Sequence, residues 1–133
     1  MKIFNVLILL LIFGCNTTEK NIAEKTEVID MSSGYPIWKM NKNGIDFNFA
    51  LNSKKDTVKV WTTDNGFVTP EGYKVGSAFK NISNKVKNSI YKEPGNGFFI
   101  KLNSGWELSF CEGKTCTDNE PNENSKVKWI RRK

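Results

Sequence analysis

The sequence predicts an α+β domain, a small antiparallel sheet of βββ-α-βββ order with one helix packed on one face. Three observations predict it. Apolar residues alternate with polar ones in both halves of the chain from Tyr35 onward, and turn sequences such as Asn43-Gly44 punctuate these runs. Between the halves, Phe79, Ile82, Val86 and Ile90 recur at spacings of three, four and four residues, the period of one helical stripe.

Residues 37–40 make a short apolar strand, and Asn41-Lys42-Asn43-Gly44 turns it into a second one. There Ile45, Phe47, Phe49 and Leu51 alternate with Asp46, Asn48 and Ala50. Residues 53–56 form the next polar turn, and 58–62 a third strand with Val58 and Val60 on one face, stopped by Asp64-Asn65-Gly66. Pro70, Gly72 and Gly76 shape the following loop, Ser77 is a good N-cap, and the predicted helix runs to the breakers in Lys92-Glu93-Pro94-Gly95.

A second hairpin follows. Phe98, Ile100 and Leu102 share one face, Asn103-Ser104-Gly105 turns the chain, and Trp106, Leu108 and Phe110 repeat the alternation. A polar loop over 117–125 leads to a last strand at 126–131, with Val127 and Trp129 on one face and Lys126, Lys128 and Ile130 on the other. Trp61, Phe99 and Ile130 fall opposite the main apolar stripes, which reads as isolated exposed aromatics of the kind normal on soluble proteins, with apolar patches that invite a partner as the alternative.

A chain of 133 residues, 38% hydrophobic, suits one small folded domain. Its 20 Lys and Arg against 14 Asp and Glu give a net charge of +6, which favours anionic partners. The absence of histidine disfavours zinc sites and histidine-base catalysis. The candidate acids Asp46, Asp64, Glu71 and Glu107 occur singly, without a spacing that pairs an acid with a base and without a nucleophile motif. Neither an enzyme nor a cofactor is expected.

The beginning of the chain speaks to location. Lys2 precedes an apolar run over 3–13, interrupted only by Asn5 and too short for the about 20 residues that span a bilayer. It reads as an export signal. The run ends in Ile12-Phe13-Gly14-Cys15, which resembles the lipobox of bacterial lipoproteins. The resemblance implies a diacylglyceryl group on the Cys15 thiol, cleavage after Gly14 and acylation of the new amino terminus. A plain secretory peptide with an incidental cysteine is the alternative. Residues 1–14 would be the signal peptide, 15–34 a lipidated cysteine and polar flexible tether, and 35–133 the globular domain. Asn16 is not the aspartate that marks inner-membrane retention in enterobacteria, which points to the outer membrane of the cell envelope.

Assigning Cys15 to lipid leaves Cys111 and Cys116 as an even pair in Cys-Glu-Gly-Lys-Thr-Cys. A disulfide is expected there, with free thiols or a metal as alternatives. Residues 69–77, Thr-Pro-Glu-Gly-Tyr-Lys-Val-Gly-Ser, resemble a Thr-x-x-Gly-x-x-Val-Gly-Ser pattern of small uncharacterised bacterial envelope lipoproteins, where it positions a helix on the sheet. An anion site at Gly76, Ser77 and the helix start is the functional alternative to simple capping.

The chain's last residues gather Lys126, Lys128, Arg131, Arg132 and Lys133 around Trp129. They are candidates for contact with an anionic surface, or else charges guarding an edge strand. Nucleic acid is not expected for an exported chain. The sequence thus predicts a lipid-anchored envelope protein acting as a noncatalytic binding or assembly module. Its expected partners are the membrane, through the lipid, and another envelope protein or an anionic glycan or lipid. An inhibitor of a hydrolase such as lysozyme is the alternative, although the cationic excess would repel a basic lysozyme.

Overall fold

A computed structural model describes residues 27–30 and 34–133. The signal segment, Cys15 and most of the expected tether lie outside the described residues. The fold is mostly β, which corrects the α+β expectation. Eight strands form one antiparallel sheet: β1 (Glu27–Asp30), β2 (Ile37–Lys42), β3 (Ile45–Leu51), β4 (Thr57–Thr62), β5 (Ile90–Glu93), β6 (Gly97–Lys101), β7 (Glu107–Phe110) and β8 (Trp129–Arg132). Their order is β1-β2-β3-β4-β8-β7-β6-β5, so two consecutive four-strand meanders are joined where β8 pairs with β4. Strand β1 lies inside the stretch expected as tether and extends the sheet edge beyond β2, so the sheet starts before Tyr35.

The predicted helix is replaced by a 3-10 turn at Phe79–Asn81 and a single helical turn, α1, at Asn84–Lys87. Its beginning is claimed by another partner. Gly76 N–H donates to the Val127 carbonyl, Val127 N–H to the Ser77 carbonyl, and Phe79 N–H to the Ser125 carbonyl, so residues 76–79 are bonded alongside 125–127, with Ala78 extended between them. Ile82 and Ser83 are also extended, with ψ of 134° and 144°, and Asn and Ser residues through this stretch do little to oppose that. The stripe still faces inward, since Phe79, Ile82 and Val86 all pack on the core. Ile90 instead opens β5, and Pro94-Gly95 forms the middle of a hairpin turn in which Asn96 N–H donates to the Glu93 carbonyl.

The β2–β3 hairpin forms as predicted, with Asn43 at φ 53° and Gly44 at φ 81° in its two-residue turn. In the second meander, Ile100, Leu108 and Ile130 are register neighbours on one face, where Phe98 also lies beside Phe110. The long β4–β5 connection covers this face with Phe67, Tyr73, Val75, Phe79 and Val86. Strand β8 begins only at Trp129, and the bend before it turns Val127 into the same cluster as Ile130 rather than onto the face of Trp129. Phe99 and Ile130, expected to be exposed, are both fully buried.

The sheet is rolled. Strands β2 and β5 stand six positions apart, which in a flat sheet would separate them by about 29 Å at about 4.8 Å per step. Ile37 of β2 and Glu93 of β5 nevertheless line one cleft. The face opposite the β4–β5 connection is therefore concave, and it holds the site described next.

Candidate binding cleft

The concave face has a charged floor. Alternation along the second meander places Tyr91, Phe99, Ser109 and Trp129 in one row across β5, β6, β7 and β8, and Lys101, Glu107 and Arg131 in the next. Glu107 and Arg131 are direct cross-strand neighbours, so the acid set into the apolar Trp106–Leu108 run meets a cation directly opposite it. Arg131 is 1% exposed; its Nε–H donates to Glu107 at 2.7 Å, while Nη2 donates to the Tyr91 hydroxyl at 3.1 Å and contacts Glu93. The Tyr91 hydroxyl in turn donates to Glu107 at 2.8 Å. The guanidinium crosses the Phe99 ring on its way to Glu93, and Lys133 closes the group by donating to Glu93 at 2.8 Å.

Proton affinities follow these contacts. The bonds from Arg131, which outweigh partial burial, and those from Lys133 lower the Glu93 carboxyl to about 2. Burial alone would lower Arg131, but its bonds to Glu93, Glu107 and Tyr91 reverse the sign and raise it. Burial and the neighbouring Glu107 carboxylate raise the Tyr91 hydroxyl. The Glu93 carboxylate thus sits in bonds made to its charged form.

Above this floor opens a cleft of about 380 Å³ lined by Tyr35, Ile37, Ala50, Val58, Lys59, Trp61, Glu93 and Lys133. Its walls are mainly apolar. Lys59 is half-buried there, with its ammonium 5.0 Å from the centre of the Trp61 ring and no carboxylate partner among the described residues. Burial first, then the Arg131 charge, holds Lys59 below the usual lysine range.

The five cations expected to form an anionic-surface contact do not act together. Arg131 is removed from that set altogether, because it is buried and paired within the sheet. Lys133 binds Glu93, and Arg132 donates to the Ser104 carbonyl while lying over Trp106. Lys126 and Lys128 remain exposed and flank a separate polar depression with Glu112, Asn122 and Asn124. Cys111 and Cys116 are joined in a disulfide. The candidate anion site at Gly76 and Ser77 has no helix behind it, and both amides donate to backbone carbonyls.

The four carboxylates read as candidate acids are likewise engaged. Asp46 pairs with Lys39 at 3.0 Å, Asp64 accepts the amides of Asp46 and Gly66, and Glu71 accepts Ser104 N–H and Oγ–H. Lys59, Tyr91 and Glu93 were not legible as site residues. A charged residue on an apolar strand, as Glu107 is, was the available signal that a buried partner existed.

No protein-family model and no curated protein sequence matches the chain. Its structural class is a rolled, all-antiparallel eight-stranded sheet with a covered face and a concave one. A particular solved structure shares that fold: the crystal structure of the uncharacterized protein YfeY from Escherichia coli superposes with a TM-score of 0.53, at 15% identity, over 83% of this chain and 79% of that one. No described helix is long and apolar enough to cross a membrane.

Proposed function

We propose that this chain is a bacterial lipoprotein, anchored by Cys15 at the outer membrane, whose sheet domain is a noncatalytic binding module that takes its partner in the concave cleft. The observation that carries the reading is the cleft itself: an apolar wall over a floor in which Arg131 fixes Glu93, Glu107 and Tyr91 in place. A floor of this kind suits recognition by a preorganised surface. It is ill suited to proton transfer, since a carboxyl at about 2 is a weak base near neutral pH and holds no proton to give. The lipobox resemblance and Asn16 support the anchor and its membrane.

Two measurements test this. Mass spectrometry of the protein purified from cells should show an acylated Cys15 at the amino terminus; an unmodified thiol there would remove the anchor. A photo-crosslinking amino acid at Trp61 should capture an envelope component that the same group at exposed Lys54 does not. Capture of a lysozyme or other hydrolase at Trp61 would favour inhibition instead, and equal capture at both positions would count against the cleft.

A further inference from the structure

We propose that the cleft binds a single-chain amphiphile with a carboxylate head, a fatty acid, with the head on Lys59 and the chain against Ile37, Ala50, Val58 and Trp61. This deepens the preceding reading and rests on the cleft being the binding site. Charge decides the headgroup. The cleft and the bonded group around Arg131 hold three cations, Lys59, Arg131 and Lys133, against two carboxylates, Glu93 and Glu107, while Lys101 of the same row is exposed and outside the cleft lining.

Arg131 and Lys133 are bonded to the floor carboxylates, whereas Lys59, which lines the cleft over the Trp61 ring and feels Glu93 only at longer range, has no ion-pair partner among the described residues. A monovalent anion completes that balance, whereas a second negative charge would face Glu93, which lines the same cleft. A half-buried ammonium without a counterion is costly, and a charge-assisted bond to a carboxylate is the strongest contact available to it.

Shape and polarity decide the remainder. Ile37, Ala50, Val58 and Trp61 come from three adjacent strands and make a continuous apolar wall, within the size range of small-ligand sites. A polar metabolite would leave this wall unused. A neutral lipid would leave Lys59 unpaired.

The test uses the protein as purified from cells, in a neutral detergent, titrated with carboxyl-labelled laurate and observed by carbon NMR. A second, saturable carboxyl resonance is expected, and dodecanol should compete for it at least about tenfold more weakly than unlabelled laurate. Lys59→Met should weaken laurate at least about tenfold while leaving dodecanol unchanged, and Lys59→Arg should retain laurate binding. Val58→Trp, which fills the wall without touching the floor, should block both.

Absence of a saturable resonance, equal affinity for laurate and dodecanol, or laurate binding untouched by Lys59→Met would overturn the proposal. Crosslinking at Trp61 to a component other than a fatty acid, with no laurate binding, would keep the cleft as the binding site and remove only this ligand.

Discussion

The Arg131 guanidinium lies over the Phe99 ring, 3.3 Å from its centre, and its Nε–H meets Glu107 on the neighbouring strand. A cation on the concave face is thereby sandwiched between an aromatic surface and carboxylates, and the concave face becomes a second interior. Removing one partner of such a pair leaves a buried charge without compensation, which typically costs about 3–5 kcal/mol.

Arg131→Met is therefore expected to lower the free energy of unfolding by about that amount, equivalent to roughly 4–8 °C in Tm per kcal/mol for a domain of this size. Arg131→Lys should restore little, because lysine lacks the planar fork that reaches Glu107, Tyr91 and Glu93 at once. Adding Glu107→Leu to Arg131→Met should recover part of the loss. Urea unfolding of the four proteins checks this, and a loss under about 1 kcal/mol for Arg131→Met would show that the pair is not energetically buried.

Acid should weaken the same network in a defined window. The Glu93 carboxyl falls from 4.5 to about 2 on folding, so its folded state prefers the charged form. Its contribution is complete above 4.5 and is lost as pH falls toward 2. With 26% of the side chain exposed, the full shift is an upper bound, and about 1–3 kcal/mol is expected. Glu93→Gln should be less stable than wild type at pH 7, with the two curves converging across that window. Asp46, Glu71 and Asp118 are also lowered, so it is the difference between the curves that isolates Glu93. Parallel curves would contradict the assignment.

What the sequence disclosed and what it concealed have one physical origin, the range over which each signal acts. The β2–β3 hairpin was legible because period-two alternation and an Asn-Gly turn are local. The false helix came from the same kind of reading: Phe79, Ile82 and Val86 keep a helical spacing and do point inward, but the ladder between 76–79 and 125–127 joins residues almost fifty apart.

The floor of the cleft followed the same rule. Glu107 and Arg131 each looked like an isolated charge until β7 and β8 became neighbours, and Arg131 was read with the other terminal cations as surface. Lys59 and Glu93 come together only because the sheet rolls, which no pattern along a single strand encodes.

Gly97 is expected to be the least replaceable glycine of the second meander. It begins β6 with φ +133°, opposite Glu93, and a Cβ there would meet the carbonyl of Phe110. Gly97→Ala should combine backbone strain with that collision and cost more than about 2 kcal/mol. Gly95→Ala, at φ +75° in the open turn, has nothing within 4 Å and should cost only about 1 kcal/mol. The two losses are read by urea unfolding, and equal losses would show that the contact with Phe110 relaxes freely.

The Cys111–Cys116 bond should stabilise the fold without shaping the cleft. It closes a loop at the end of β7, outside the residues that line the cleft, and Asp118 fastens the same loop by accepting the amides of Lys114 and Thr115. In the chain-entropy account, a bond across so short a loop contributes about 2 kcal/mol. Cys111→Ser with Cys116→Ser should therefore lower Tm by roughly 8–16 °C, by the same scale of degrees per kcal/mol. Ligand binding below that transition should be unchanged. If the double variant lost binding while still folded, the loop would have to be counted as part of the site, and if Tm did not move, the hydrogen bonds of Asp118 would be holding the loop alone.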